Sequence, residues 1–185
     1  MHDTIDISGI TTAVLFTGLG VMAPILFHAL GLGAIFLPMY LPLAIGAFLL
    51  GRADAALMGA CTPLVSALLT GMPPFYPPIA VTMAVQLGAM CLAISLVSHR
   101  FEALSRGAIV LTLVAAFAVE RSLMALLYRF VMPLFGVSGK VFTAYDLVKS
   151  LPGIAIIFAA APFAVPKAAQ LLRRFSIRPY ERSGD

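Results

Sequence analysis

The sequence predicts an all-α integral membrane protein, a bundle of six transmembrane helices with both termini in the cytoplasm. Three observations carry this. Hydrophobic residues make up 61% of the 185 positions and charged residues only 11%, whereas a soluble domain carries roughly 25% charge. The apolar residues fall in long runs without two-residue alternation, and about 20 of them cross a bilayer. Backbone polar groups cannot stay unpaired in hydrocarbon, so runs of this kind must be helices rather than an open sheet or a barrel. The third observation is that lysine and arginine gather in alternate connections, as the positive-inside rule requires. Mean hydropathy is +1.03.

The N-terminus, MHDTIDIS, is acidic and lacks a basic n-region and a small-residue cleavage site, so no signal peptide is expected. Cys61 and Cys91 both fall inside predicted spans and read there as small apolar side chains, with no disulfide framework. The net charge of +4 comes mainly from the C-terminal tail and reflects topology and lipid headgroups. Residues 1–172 form the predicted membrane domain and 173–185 a basic cytoplasmic tail.

Span 1 covers residues 7–30. Gly9, Ala13, Thr17, Gly20 and Pro24 recur at steps of three or four and form one stripe of compact residues. Such a stripe lets helices approach closely inside a membrane. It suits packing within the chain's own bundle or docking of another membrane subunit, with Gly9, Ala13 and Thr17 as the docking candidates. Span 2, residues 35–51, contains Pro38 and Pro42 one turn apart, which predicts a kinked helix with freed carbonyls. Span 3, residues 54–70, is expected to start on an Asp54 N-cap and to bend at Pro63.

The stretch from Thr62 to Pro78, TPLVSALLTGMPPFYPP, organises the rest. Proline lacks an amide proton and fixes φ, so Pro73–Pro74 end one helix and Pro77–Pro78 begin the next. Phe75 and Tyr76 sit between the pairs. This stiff, uncharged turn reads as the lid or rim of a ligand site, or as a rigid hairpin at the membrane surface. Met39 and Tyr40 are expected near the same face.

Span 4, residues 79–97, has one strongly polar interior residue, Gln86. An amide in hydrocarbon needs partners, so it faces the bundle or a ligand. Span 5, residues 107–132, carries Glu120 and Arg121 at mid-depth, then Met124, Tyr128 and Arg129. A charge at mid-membrane costs roughly 2.5–3.5 kcal/mol on insertion scales, so these groups should point inward and pair. Span 6 opens on a capping-box-like Thr143-Ala-Tyr-Asp146. Tyr145, Lys149 and Gly153 then share a face, and Pro152, Pro162 and Pro166 should interrupt the helix.

With the N-terminus inside, Arg52, Arg100, Arg106, Lys167, Arg173, Arg174, Arg178 and Arg182 fall on the cytoplasmic side, and only Arg129, Lys140 and Lys149 lie toward the outside. The proline-aromatic turn then faces out. Its neighbours there define a candidate small-molecule site: Tyr40, Met72, Phe75, Tyr76, Gln86, Glu120, Arg121, Met124, Tyr128, Arg129, Tyr145, Asp146 and Lys149. Aromatic and methionine surfaces with a few placed polar groups describe such a pocket, and the excess of basic residues suits a carboxylate or phosphate. The opposite charges could equally neutralise one another. No GxSxG, HExxH, Walker A loop or metal-spaced His/Asp cluster occurs, so neither an enzyme nor a cofactor or metal is implied, and any pumping would need partners or a gradient.

The phrase PMYLP (Pro38 to Pro42), followed by LLGRADAALMGACTPLVSALLTGMPPFYPP (Leu49 to Pro78) and a polar residue in span 4, resembles the substrate-binding S components of energy-coupling-factor (ECF) vitamin transporters. It is similar to the branch whose third helix ends in a Pro-Leu-x-Ser…Thr-Gly-Met-Pro-Pro phrase, here Pro63, Leu64, Ser66, Thr70, Gly71, Met72, Pro73 and Pro74. The resemblance implies a six-helix bundle in the prokaryotic plasma membrane that captures a vitamin or related micronutrient outside. It also implies association with a transmembrane coupling subunit and two ABC-type ATPases. Small residues on the family's first helix, often Ala-x-x-x-Ala, contact that subunit; here the matching positions are Gly9, Ala13 and Thr17. Relatives often carry glutamate where this chain has Gln86. A stand-alone secondary carrier and a non-transporting membrane scaffold are the competing expectations. The carrier would need mid-depth coupling carboxylates, for which Glu120 is the candidate, and an internal repeat.

Overall fold

A computed structural model describes residues 7–29, 37–101, 103–136 and 144–175, with backbone alone at 28–29 and 144–149. Its elements are α1 (Ile7–Ala29), α2 (Tyr40–Leu49), α3 (Arg52–Thr70), α4 (Ile79–Ser98), α5 (Arg106–Leu126) and α6 (Ala144–Arg174). A π-turn (Leu127–Val131) and a 3-10 turn (Met132–Phe135) prolong α5. Five of these helices are long and apolar enough to cross a membrane. The described residues are thus helical and turn throughout, as the composition requires.

α2 departs from expectation. It has 10 residues, about 15 Å of rise against a hydrocarbon core of about 30 Å. Pro38 precedes it and Pro42 falls in its first turn, where no intrahelical amide bond is lost, so neither proline kinks it. Its Leu43, Ala44 and Ala47 are fully buried, because a helix apolar all round belongs at the centre of a bundle. α2 packs against α1, α3, α4 and α6. From α4, Ser95 Oγ donates to the Leu50 carbonyl at 3.0 Å and supplies the partner that the end of α2 lacks.

α3 and α4 form the most extensive helix pair. They approach so closely at Gly59 that a Cβ there would collide with the Leu87 carbonyl. α3 ends on Gly71, at φ 74°, whose N–H reaches the Ala67 carbonyl, the left-handed C-cap that glycine adopts without strain. At its start the cap is Gly51, and Asp54 lies in the first turn without capping it. The carboxylate there complements the helix dipole instead. The cap by side chain occurs on α5, where Ser105 Oγ accepts from Ala108 N at 3.1 Å. α6 runs unbroken through Pro152, Pro162 and Pro166, as membrane helices can when neighbours satisfy the freed groups. Thr143 lies outside the described residues.

On α1, Gly9 and Gly20 are buried and Ala13 and Thr17 half-buried. Thr17 Oγ1 lies 3.4 Å from Thr62 Oγ1 of α3, and a Cβ on Gly20 would stand 2.9 Å from Thr62 Cγ2. The described contacts of the stripe are therefore within the chain. The other side of α1, with Ile10, Val14, Gly18 and Met22, is exposed.

Candidate functional site

One end of the bundle gathers the end of α1, the start of α2, the end of α3 and the start of α4. A cavity of about 410 Å³ opens there. Tyr40, Met39 and Ser66, at most 5% exposed, form its floor. Ile25, Met72, Pro73 and Pro74 form its rim, with Met83 of α4 to one side.

The rim is held by hydroxyls. Ser66 Oγ donates to the Met72 carbonyl at 2.8 Å. Thr70 Oγ1, one turn on, stands 2.8 Å from the Ser66 carbonyl and 3.1 Å from that of Met72, and accepts from Met72 N at 3.2 Å. Past the prolines, Ala80 N donates to the Pro74 carbonyl at 3.0 Å. Prolines offer no N–H, so side chains and the next helix supply the donors that the turn cannot. Tyr76 reaches outward, its hydroxyl 3.4 Å from the Phe135 carbonyl beyond α5. Phe75 and Tyr76 are exposed at the tip, while Met72 borders the cavity.

Beneath the floor lies a polar cluster. Tyr40 Oη donates to Glu120 Oε1 at 3.0 Å, and its ring stacks on Phe117 with centroids 6.1 Å apart. Glu120 Oε2 stands 3.0 Å from Arg121 Nε. The two charges attract, but the angle between these sequence neighbours falls short of a hydrogen bond, because adjacent helix residues point in different directions. Arg121 Nη1 contacts Met124 Sδ at 3.4 Å. Arg121 Nη2 and the amide nitrogen of Gln86 are buried without a hydrogen-bond partner among the described residues, and Gln86 is 2% exposed. Tyr128 is half-buried in the π-turn, within electrostatic reach of Tyr40.

The structure thus brings Tyr40 and Met72 to one cavity and sets Glu120, Arg121 and Met124 together below it. Arg129 lies apart, exposed, with its guanidinium 5.6 Å from the Phe130 ring. Tyr145, Asp146 and Lys149 fall on the first turns of α6, and their side chains lie outside the described residues. Met39, Ser66, Thr70 and Met83 also line the cavity, although sequence reasoning did not place them in the site. The four-residue spacing of Ser66 and Thr70 ahead of a glycine was the available signal for two of them.

These features define a polytopic helical membrane protein with a small-molecule-sized cavity at one end of its bundle. Residues 8–172 match the family model of the ECF transporter, substrate-specific component, and the chain belongs to that family. It is accordingly a substrate-specific transporter subunit, a component that binds rather than catalyses. Comparison with curated proteins and with solved structures gave no match.

Proposed function

We propose that this chain captures a vitamin-like micronutrient at the outer face of a prokaryotic plasma membrane and hands it inward with energy from partner ATPases. The carrying observation is the cavity under Met72–Pro74, floored by Tyr40 and clamped by Ser66 and Thr70, in a chain matched by the family across residues 8–172. Cavities of a few hundred Å³ with sparse polar groups suit small ligands. The basic residues Arg52, Arg100, Arg106, Arg173 and Arg174 collect at the other end of the bundle, which supports cytoplasmic termini and an outward cavity.

In this reading Tyr40 and Met72 touch the ligand, and Glu120, Arg121 and Met124 hold Tyr40 from below. Gln86 and Tyr128 add polarity at depth, and Phe75 and Tyr76 shape the entrance. Tyr145, Asp146, Lys149 and Arg129 would face the same side. A transmembrane coupling subunit would dock on α1 around Gly9, Ala13 and Thr17, with two ABC-type ATPases behind it. The test is uptake in cells that express the chain with and without its coupling module, together with co-purification of an ATPase pair. Uptake that persists with the ATPases removed would replace this reading with a stand-alone carrier.

A further inference from the structure

We infer that the cavity beneath Met72–Pro74 takes an uncharged, predominantly apolar molecule and excludes carboxylates and phosphates. This deepens the preceding proposal and rests on its reading of that cavity as the ligand site.

The twelve described lining residues include no acid or cation, and tyrosine is their one ionisable type. Four are prolines, at positions 24, 38, 73 and 74, without an N–H to offer. The three hydroxyls among them already donate to protein acceptors. Tyr40 donates to Glu120, Ser66 to the Met72 carbonyl, and Thr70 to one of the two carbonyls beside it. Each is therefore already spent as a donor, and none has an O–H left for an anion. Met39, Met72 and Met83 add thioether sulfurs, which are at most weak acceptors.

The nearest described cation, Arg121, is engaged with Glu120 at 3.0 Å, and Arg129 is exposed over Phe130. An anion in the cavity would thus lose water without gaining a counter-charge from the described lining residues, which is unfavourable by far more than the loss of one hydrogen bond. The connection at 30–36, LGLGAIF, contains no ionisable residue. Ile25, at the rim, also lines an adjoining groove of about 630 Å³ between α1 and α2, whose nine described lining residues are all apolar. The cavity wall therefore continues the lipid-facing surface of the bundle.

The chain has no tryptophan, so naphthalene fluorescence can be read cleanly. The test compares 2-naphthamide with 2-naphthoate, on the full chain in phosphatidylcholine nanodiscs against empty discs, and repeats both on Met83→Phe, which fills one wall. Expected are saturable 2-naphthamide binding, at least roughly 10-fold tighter than 2-naphthoate, and weakening of that binding in Met83→Phe. If 2-naphthoate binds as tightly or tighter and Met83→Phe weakens it, the charge inference is overturned while the cavity remains the ligand site. If neither probe binds saturably, or binding ignores Met83→Phe, the cavity reading falls and this inference with it.

Discussion

Tyr40 of α2 donates a 3.0 Å hydrogen bond to Glu120 of α5 across 80 positions of sequence. One member lines the cavity and the other is fully buried beside Arg121, so the bond ties the cavity floor to the charged pair. Glu120→Ala leaves Arg121 facing the bundle without a counter-charge. The expected loss is about 3–5 kcal/mol, read as a lowered midpoint in denaturant titration of the protein in micelles. Tyr40→Phe removes a hydroxyl and leaves the ion pair. It should cost about 1–2 kcal/mol, and a double-mutant cycle of the two should show positive coupling; strict additivity would separate them.

Ser66 and Thr70 set the rim through the Met72 carbonyl. Ser66→Ala should destabilise by only about 1 kcal/mol, yet weaken ligand binding more than a substitution at the exposed Leu68 or Leu69. Equal affinities for Ser66→Ala and Leu68→Ala would show that the clamp does not position the rim.

Two glycines should behave oppositely. Gly59→Ala places a methyl group against the Leu87 carbonyl and pushes α3 from α4, at about 2 kcal/mol or more. At Gly18 the space a methyl group would enter is open, with nothing within 4 Å, so Gly18→Ala should be neutral or stabilise by up to about 1 kcal/mol. Thermal melts of the two variants in one detergent decide between these signs.

Ala13 is half-buried on α1 and packs on the core. If the stripe docks the coupling subunit, Ala13→Leu abolishes co-purification with it and spares ligand binding. Loss of both together would mean that the stripe serves the chain's own packing alone.

Membrane residence, the number of helices and the turn at 72–78 were legible in the sequence, because long apolar runs and proline pairs act locally. Hydrocarbon permits little besides a helix, whatever the neighbours do. The same local logic overestimated α2 and misread its prolines, since a 17-residue apolar stretch looks alike whether it spans the bilayer or fills the centre of a bundle. It also assigned the cap of α3 to Asp54, where the backbone geometry chose Gly51.

What the sequence by itself determined was therefore the solvent and the element type: a helical bundle in lipid, with Gln86, Glu120 and Arg121 as the strongly polar residues deep inside its spans. Only the tertiary structure decided who meets whom. Glu120 finds Tyr40 and Arg121 rather than Arg129, the small residues of α1 turn toward α3, and Met72 and Tyr40 come to one cavity. Periodicity says which residues share a helix face, but the azimuth of each helix in the bundle depends on packing against all the others, and that is a property of the whole chain.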